Sequence, residues 1–343
     1  MEWRPFLRFT GARFIALVFL AIGVTLMAFI ITNLVPGDPM AAALSDRAMA
    51  DEATVAAYRA RYGLDEPLPI QYLTYLSNLL RGDFGFSTYN GNPVRSELAR
   101  FIPATMELAA VAIVVSLVLG VLFGTLAALY RDRFLDQFLR VFSLTGVSMP
   151  VFWLALVAFY LLSFRLGWFP GTGRLDPGTV PPPTVTGAYT IDALIAGDLD
   201  LFRNALGHVL LPAFVLAAYT VSLLTRFTRS AVLEVLSNDY VRTARAKGLP
   251  GMVIVVRHVL RASLAPIITV AGVMFGSILS GTVLIEAIFA WPGLGQYAFR
   301  SATNLDLPSI MGVSLFVAVV YITINFIVDV LYGIIDPRVR LTS

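Results

Sequence analysis

In this chain of 343 residues, 57% are hydrophobic and 14% charged, with net charge +3, whereas a soluble domain carries about 25% charged residues; its main solvent is lipid. There is no cysteine, and His208 and His258 are the only histidines, which excludes disulfides, thiolate metal sites and a zinc cluster. The single lysine, Lys247, follows Ala246, so no G-x-x-x-x-G-K-[ST] phosphate loop exists, and ATP, if used, is bound by another chain.

Crossing ~30 Å of hydrocarbon takes about 20 apolar residues with every backbone polar group satisfied internally. The first stretch to meet that test, Phe14 to Val35, follows Arg4, Arg8 and Arg13. It is longer than a signal-peptide core and lacks a small-residue cleavage site, so it is expected to stay as an anchor. Residues 36–103 form an outer segment. Glu52 to Tyr62 and Ile70 to Leu80 read as short amphipathic helices at the outer surface, and Gly82 to Phe86 as a turn with exposed aromatics. A second span, Ala104 to Leu129, carries Glu107, and a third, Val141 to Phe164, carries Pro150, expected to kink it.

Residues 165–208 hold Pro170, Gly171, Gly173, Pro177, Gly178 and Pro181 to Pro183, which disfavour helix and strand. They predict an irregular outer cap, then an interfacial helix near Ile191 to Leu206. That cap either receives an external partner or seals helix ends. The fourth span is Val209 to Thr225, the fifth Leu264 to Phe289 and the sixth Ser309 to Gly333. With both termini placed in the cytoplasm, inner segments hold 15 of the 25 basic residues in the shorter total length, as the positive-inside rule requires.

The longest and most basic inner loop is 226–263. Its centre, Asp239-Tyr240-Val241-Arg242-Thr243-Ala244-Arg245-Ala246-Lys247-Gly248, predicts a short helix capped by Asn238 or Asp239 and ended by Gly248 and Pro250. Small Thr243, Ala244 and Ala246 let another protein approach closely, and Arg242, Arg245 and Lys247 can meet acidic groups. A basic loop resting on anionic lipid heads is the alternative, although it needs no particular order of small residues, glycine and proline. Beyond the Gly-Pro break, Met252 to Leu264 predicts a second helix carrying Arg257, His258 and Arg261.

Glu107, Glu286 and Asp329 fall inside spans but near their ends, where pairing or capping is favoured over a proton relay, since none has a second carboxylate or histidine at i+3 or i+4. Gly276 and Gly281, with Ser277, Ser280 and Thr282, form a small-residue face suited to a second helix bundle. Pro150, Phe152, Met274, Phe275, Ser277 and Glu286 are the candidates for a pore or gate, and Pro150 for a hinge.

The loop segment Asp239 to Gly248 resembles the EAA region of the inner-membrane permease subunits of bacterial ABC importers, in the version of the dipeptide/oligopeptide type. Further matches run along the chain in order: Asn33-Leu34-Val35-Pro36-Gly37-Asp38-Pro39, Tyr62 to Pro67, Leu79 to Gly85, Pro103-Ala104-Thr105-Met106-Glu107-Leu108, Ser148-Met149-Pro150-Val151-Phe152-Trp153, Trp291-Pro292-Gly293-Leu294-Gly295, Asp329 to Gly333 and Asp336-Pro337-Arg338. Arg242-Thr243-Ala244 stands where the general pattern has Glu-Ala-Ala, and Pro250-Gly251 where polar residues are usual.

The resemblance implies an all-α, six-span, type I importer permease in the bacterial inner membrane. It divides into 1–35 (tail and first span), 36–103 (external segment) and 104–343 (five-span core). It further implies a homologous second permease subunit, two ATPase subunits that bind ATP and Mg, and an external solute-binding protein, with no catalytic site in this chain. The 239–248 helix would couple ATPase to pore. Peptides, glutathione, nickel chelates, opines and oligosaccharides are all substrates within that resemblance. An ion-coupled secondary transporter is the alternative, and an intramembrane enzyme is disfavoured because both histidines lie at or outside span ends.

Overall fold

A computed structural model describes residues 3–34 and 51–335, and within these the regular structure is helical. The motifs at Val35 to Pro39 and Asp336 to Arg338 lie outside the described residues. Helix α1 (Trp3–Leu34) begins within the basic tail rather than after it. In the outer segment come α2 (Glu52–Tyr62), with Asp51 as N-cap, and α3 (Leu68–Leu80), which has no buried residue. Both stand where helical spacing put them.

Helix α4 (Val94–Leu129) extends the second span by ten residues at its start. Across the third stretch the chain forms two helices, α5 (Phe134–Ser148) and α6 (Val151–Arg165), at 108° to each other. Pro150 therefore ends one helix and starts another instead of kinking a continuous one, because its ring excludes the next α-helical hydrogen bond and holds Met149 extended at ψ 130°. The helix expected over 191–206 is likewise two: α7 (Tyr189–Ile195) ends before Gly197, at φ +72°, and α8 (Leu199–Leu236) starts at its Asp198 cap.

After α9 (Asp239–Ala246), helix α10 runs without a break through Gly251–Val253, Ile254–Leu260 and Arg261–Ile288. The separate helix expected from Met252 is thus the first part of the fifth span. Helix α11 (Leu294–Thr303), unforeseen in the sequence, precedes α12 (Leu307–Ile335). Five of these helices are long and apolar enough to cross a membrane, and the α5–α6 pair makes six if counted as one broken span.

Helix α8 is the central element. It packs along α4 and α10, with α5 and α7 also against it, while α1 lies on α12. The main core joins Leu108 and Ala112 of α4, Val209, Leu216 and Val221 of α8, and Ile278 and Ile285 of α10. Close approach of α4 and α8 depends on glycine. A Cβ on Gly124 would lie 2.5 Å from Thr228 Cβ and 2.7 Å from the Thr225 carbonyl oxygen. On α10 the small-residue face also packs inward: Gly276 abuts the Tyr321 ring of α12 and Gly281 lies against Leu216. That corrects the expectation of a face left open for a second bundle at Gly276 and Gly281. The side chains of Ser277 and Ser280 lie outside the described residues.

Candidate functional site

The loop helix α9 forms as its local sequence dictates. Asn238, in extended conformation, precedes it, and Asp239 puts negative charge in its first turn, where the helix dipole favours it. Neither side chain caps a backbone N–H, since Asp239 instead pairs with Arg242 at 2.6 Å. At the other end Gly248 takes φ +75°, its N–H reaching the Arg245 carbonyl at 2.9 Å, and the Leu249 N–H reaches the Ala244 carbonyl at 3.3 Å. This is glycine termination of a helix, satisfying carbonyls that would otherwise lack donors.

One face of α9 is held by the rest of the chain. Val241 and Ala244 are buried among Ala128 at the end of α4, Val232 and Val235 at the end of α8, and Ile254 and Val259 in the first turns of α10. The other face is open: Asp239, Tyr240, Arg242, Thr243, Arg245, Ala246, Lys247 and Gly248 are all exposed. Ala244, expected to admit another protein, instead seats the helix on its own bundle. Past Gly248 the open surface continues through Leu249, Met252, Val253 and Val256, with Met252 at 74% exposure.

At the same end, Asp136 of α5 is fully buried and accepts two 2.8 Å bonds from Arg229 of α8, in bidentate geometry, plus one of 3.0 Å from the Asp132 N–H. Sequence reading missed this link because 93 residues separate the pair. The available signal was an acid standing at the start of an apolar stretch.

The opposite end of the bundle holds two of the three acids placed inside spans, Glu107 and Glu286. Both are paired, as favoured near span ends, but inside the chain itself, where they are buried. Glu107 receives Arg174 from the irregular cap at 2.5 Å and both the N–H and Oγ1 of Thr190 at 2.7 Å. Arg174 also donates to the Gly187 carbonyl and lies 3.6 Å above the Tyr189 ring. Glu286 accepts from Thr105 Oγ1 at 2.5 Å and the Gln296 N–H at 3.0 Å. Trp291 Nε1 donates to the Ala104 carbonyl at 2.8 Å, and the Leu294 N–H to Thr105 Oγ1 at 2.7 Å. Thus the segments Pro103 to Leu108 and Trp291 to Gly295, read separately in sequence, form one clasp between α4 and the turn after α10.

Asp192 anchors the cap outside the spans. Burial pushes its carboxyl up, but the Thr186 N–H and Oγ1 and the N–H groups of Gly187 and Val185 outweigh that and hold it below the ordinary carboxylate range.

The candidates for a pore or gate do not form one site. Pro150 and Phe152 sit exposed at the α5–α6 break, Met274 and Phe275 are half-buried on α10, and Phe275 packs on the main core. Glu286 belongs to the buried clasp and not to an open face. Among the described residues no group of three or more His, Asp or Glu side chains is placed to hold a metal ion.

Residues 120–341 match the family described as binding-protein-dependent transport system inner membrane component, and residues 6–109 its N-terminal companion family. The chain is 46% identical to the probable D,D-dipeptide transport system permease protein of Escherichia coli K12, over 94% of each chain. With the di/tripeptide transport system permease protein of Pseudomonas aeruginosa UCBPP-PA14 it shares 42% identity, over 93% of this chain and 94% of the other. In fold it is similar to a chain of a methionine ABC transporter solved in inward-facing conformations, with TM-score 0.52 and 16% identity, covering 70% of this chain and 96% of that one.

Proposed function

The chain belongs to the family of inner membrane components of binding-protein-dependent transport systems, and from that premise we propose that it forms half of the translocation pore of an ATP-driven importer of peptides. The names of its relatives support the substrate class. Asp239 to Gly248 is the coupling element, its open face seated on a cytoplasmic ATPase subunit that binds ATP and Mg. A homologous permease completes the pore, and an external binding protein delivers the solute. This chain supplies positioning and motion, not covalent chemistry.

The observation that carries this reading is the two-sidedness of α9. Val241 and Ala244 lock it onto the ends of three long helices, while Tyr240, Thr243 and Lys247 face away from the bundle. A helix held this way moves with α4, α8 and α10 when something pushes on its free side, whereas a loop that only rested on lipid heads would need no such seat. The polar groups inside the spans give the ion-coupled alternative little to work with, since Glu107, Glu286 and Asp329 are each held by partners in this chain.

Since the chain has no cysteine, a single Thr243→Cys variant gives an unambiguous crosslinking probe. In native membranes it is expected to crosslink to a nucleotide-binding subunit, with a yield that changes when ATP is bound. Crosslinks to lipid alone, or to proteins that bind no nucleotide, would overturn the assignment.

A further inference from the structure

A cleft of about 390 Å³ lies between α1 and α12. Its walls are apolar along most of their length, with Leu17, Leu20 and Val24 on one side and Ile322 and Phe326 on the other. At one end stand Arg13 and Asp329, paired at 3.4 Å with side chains 49% and 38% exposed. From Arg13 to Val24 the helix rises about 16 Å at ~1.5 Å per residue, so the cleft runs roughly half the depth of the ~30 Å hydrocarbon layer. The charged mouth lies near the start of α1 and the end of α12, which the distribution of basic residues places at the cytoplasmic leaflet.

We propose that this cleft binds one molecule of a zwitterionic, amine-headed glycerophospholipid from the bilayer. An acyl chain fills the apolar length, the phosphate meets the Arg13 guanidinium, and the ammonium meets the Asp329 carboxylate. Charge complementarity selects this occupant. The mouth presents one cation and one anion side by side, matching a head group that carries both, whereas an anionic lipid would gain Arg13 but face repulsion from Asp329. Asn325 lies one turn deeper on the same wall, at the depth of the ester linkages. The ion pair is half-exposed, so a head group can approach both charges from outside the chain. The inference rests on membrane embedding alone and stands whether or not the importer reading does.

The test is native mass spectrometry of the full-length chain, purified with the subunits that accompany it and titrated with phosphatidylethanolamine and, separately, phosphatidylglycerol. Phosphatidylethanolamine is expected to be retained at least fivefold more strongly. Asp329→Asn should reduce that preference to within about twofold, and Leu20→Trp, which fills the cleft, should abolish the retained lipid while thermal unfolding confirms that the variant is folded. Equal retention of the two lipids by the unmodified chain, or undiminished retention in Leu20→Trp, overturns the proposal. Should Leu20→Trp not fold, the Asp329→Asn comparison decides alone, and an unchanged preference there is equally fatal.

Discussion

Arg174 is the residue whose removal discriminates most sharply between a structural cap and a loose one. Its guanidinium is 8% exposed and the Glu107 side chain it meets is 3% exposed, so water cannot replace it. Taking away one partner of a buried ion pair costs roughly 3–5 kcal/mol, because the remaining charge is stranded. Glu107 keeps its bonds from Thr190, which places Arg174→Met toward the lower part of that range, and methionine preserves some contact with the Tyr189 ring. At about 2 °C per kcal/mol, the midpoint of thermal unfolding in lipid nanodiscs should fall by roughly 6–8 °C.

The second half of the cycle carries the logic. In Glu107→Gln with Arg174→Met no charge remains to be stranded, so the double variant should recover to within about 2 °C of the unmodified chain, a gain of roughly 2–3 kcal/mol over Arg174→Met alone. If the double variant is as unstable as the single one, the cost comes from lost packing of the cap and not from an uncompensated carboxylate, and the reasoning fails.

Gly248→Trp should abolish ATP-dependent uptake, since tryptophan resists φ +75° and projects into the open space where a partner would sit; Gly248→Asn, which tolerates that conformation, should retain most uptake in the same vesicle assay. Gly124→Val should lower stability by at least 1–3 kcal/mol, because its side chain meets a backbone carbonyl that cannot move aside, as thermal unfolding will read. At Asp192 the folded carboxyl titrates below its unfolded value, so its stabilisation is complete above the unfolded value of about 3.9 and is lost as pH falls through the folded one. Asp192→Asn should therefore speed amide exchange at Val185 to Gly187 at neutral pH, with the difference from the unmodified chain closing only below about pH 4.

How much of this was legible in the sequence follows from the range over which each signal acts. Apolar stretches of about 20 residues are local and announce themselves, and so does α9, bounded by Asn238 and Gly248. The 108° turn at Pro150 was half legible: proline marks a break, but its size is set by what α5 and α6 pack against. Helix α11 was hidden because ten residues with modest apolar content look like a loop. Contacts between distant residues were not readable at all. Nothing near Glu107 points to Arg174, 67 residues on, and a carboxylate near a span end reads equally well as exposed or buried. The resemblance marks Pro103 to Leu108 and Trp291 to Gly295 as separate motifs, and only the fold supplies the clasp between them.

The arrangement of these parts constrains how a push on α9 can travel. Helix α8 spans about 57 Å at ~1.5 Å per residue over its 38 residues, from the outer cap to Ser237, and only Ser237 and Asn238 separate it from α9. Gly120 and Gly124 of α4 lie against Leu224, Thr225 and Thr228 of α8, so this part of α8 cannot shift far without opening a cavity or forcing Thr228 into the Gly124 backbone. Lys247 to Pro250 connect α9 to α10 just as directly. On the coupling proposed above, a displacement of α9 would reach the adjoining ends of α8 and α10 together. At Ser148 to Val151 the backbone is already broken, but both sides of the break are held: α5 is tied to α8 by Asp136 and Arg229, and α6 packs on the main core through Leu154, Ala155 and Phe159, so any change in the angle between them must carry that core with it.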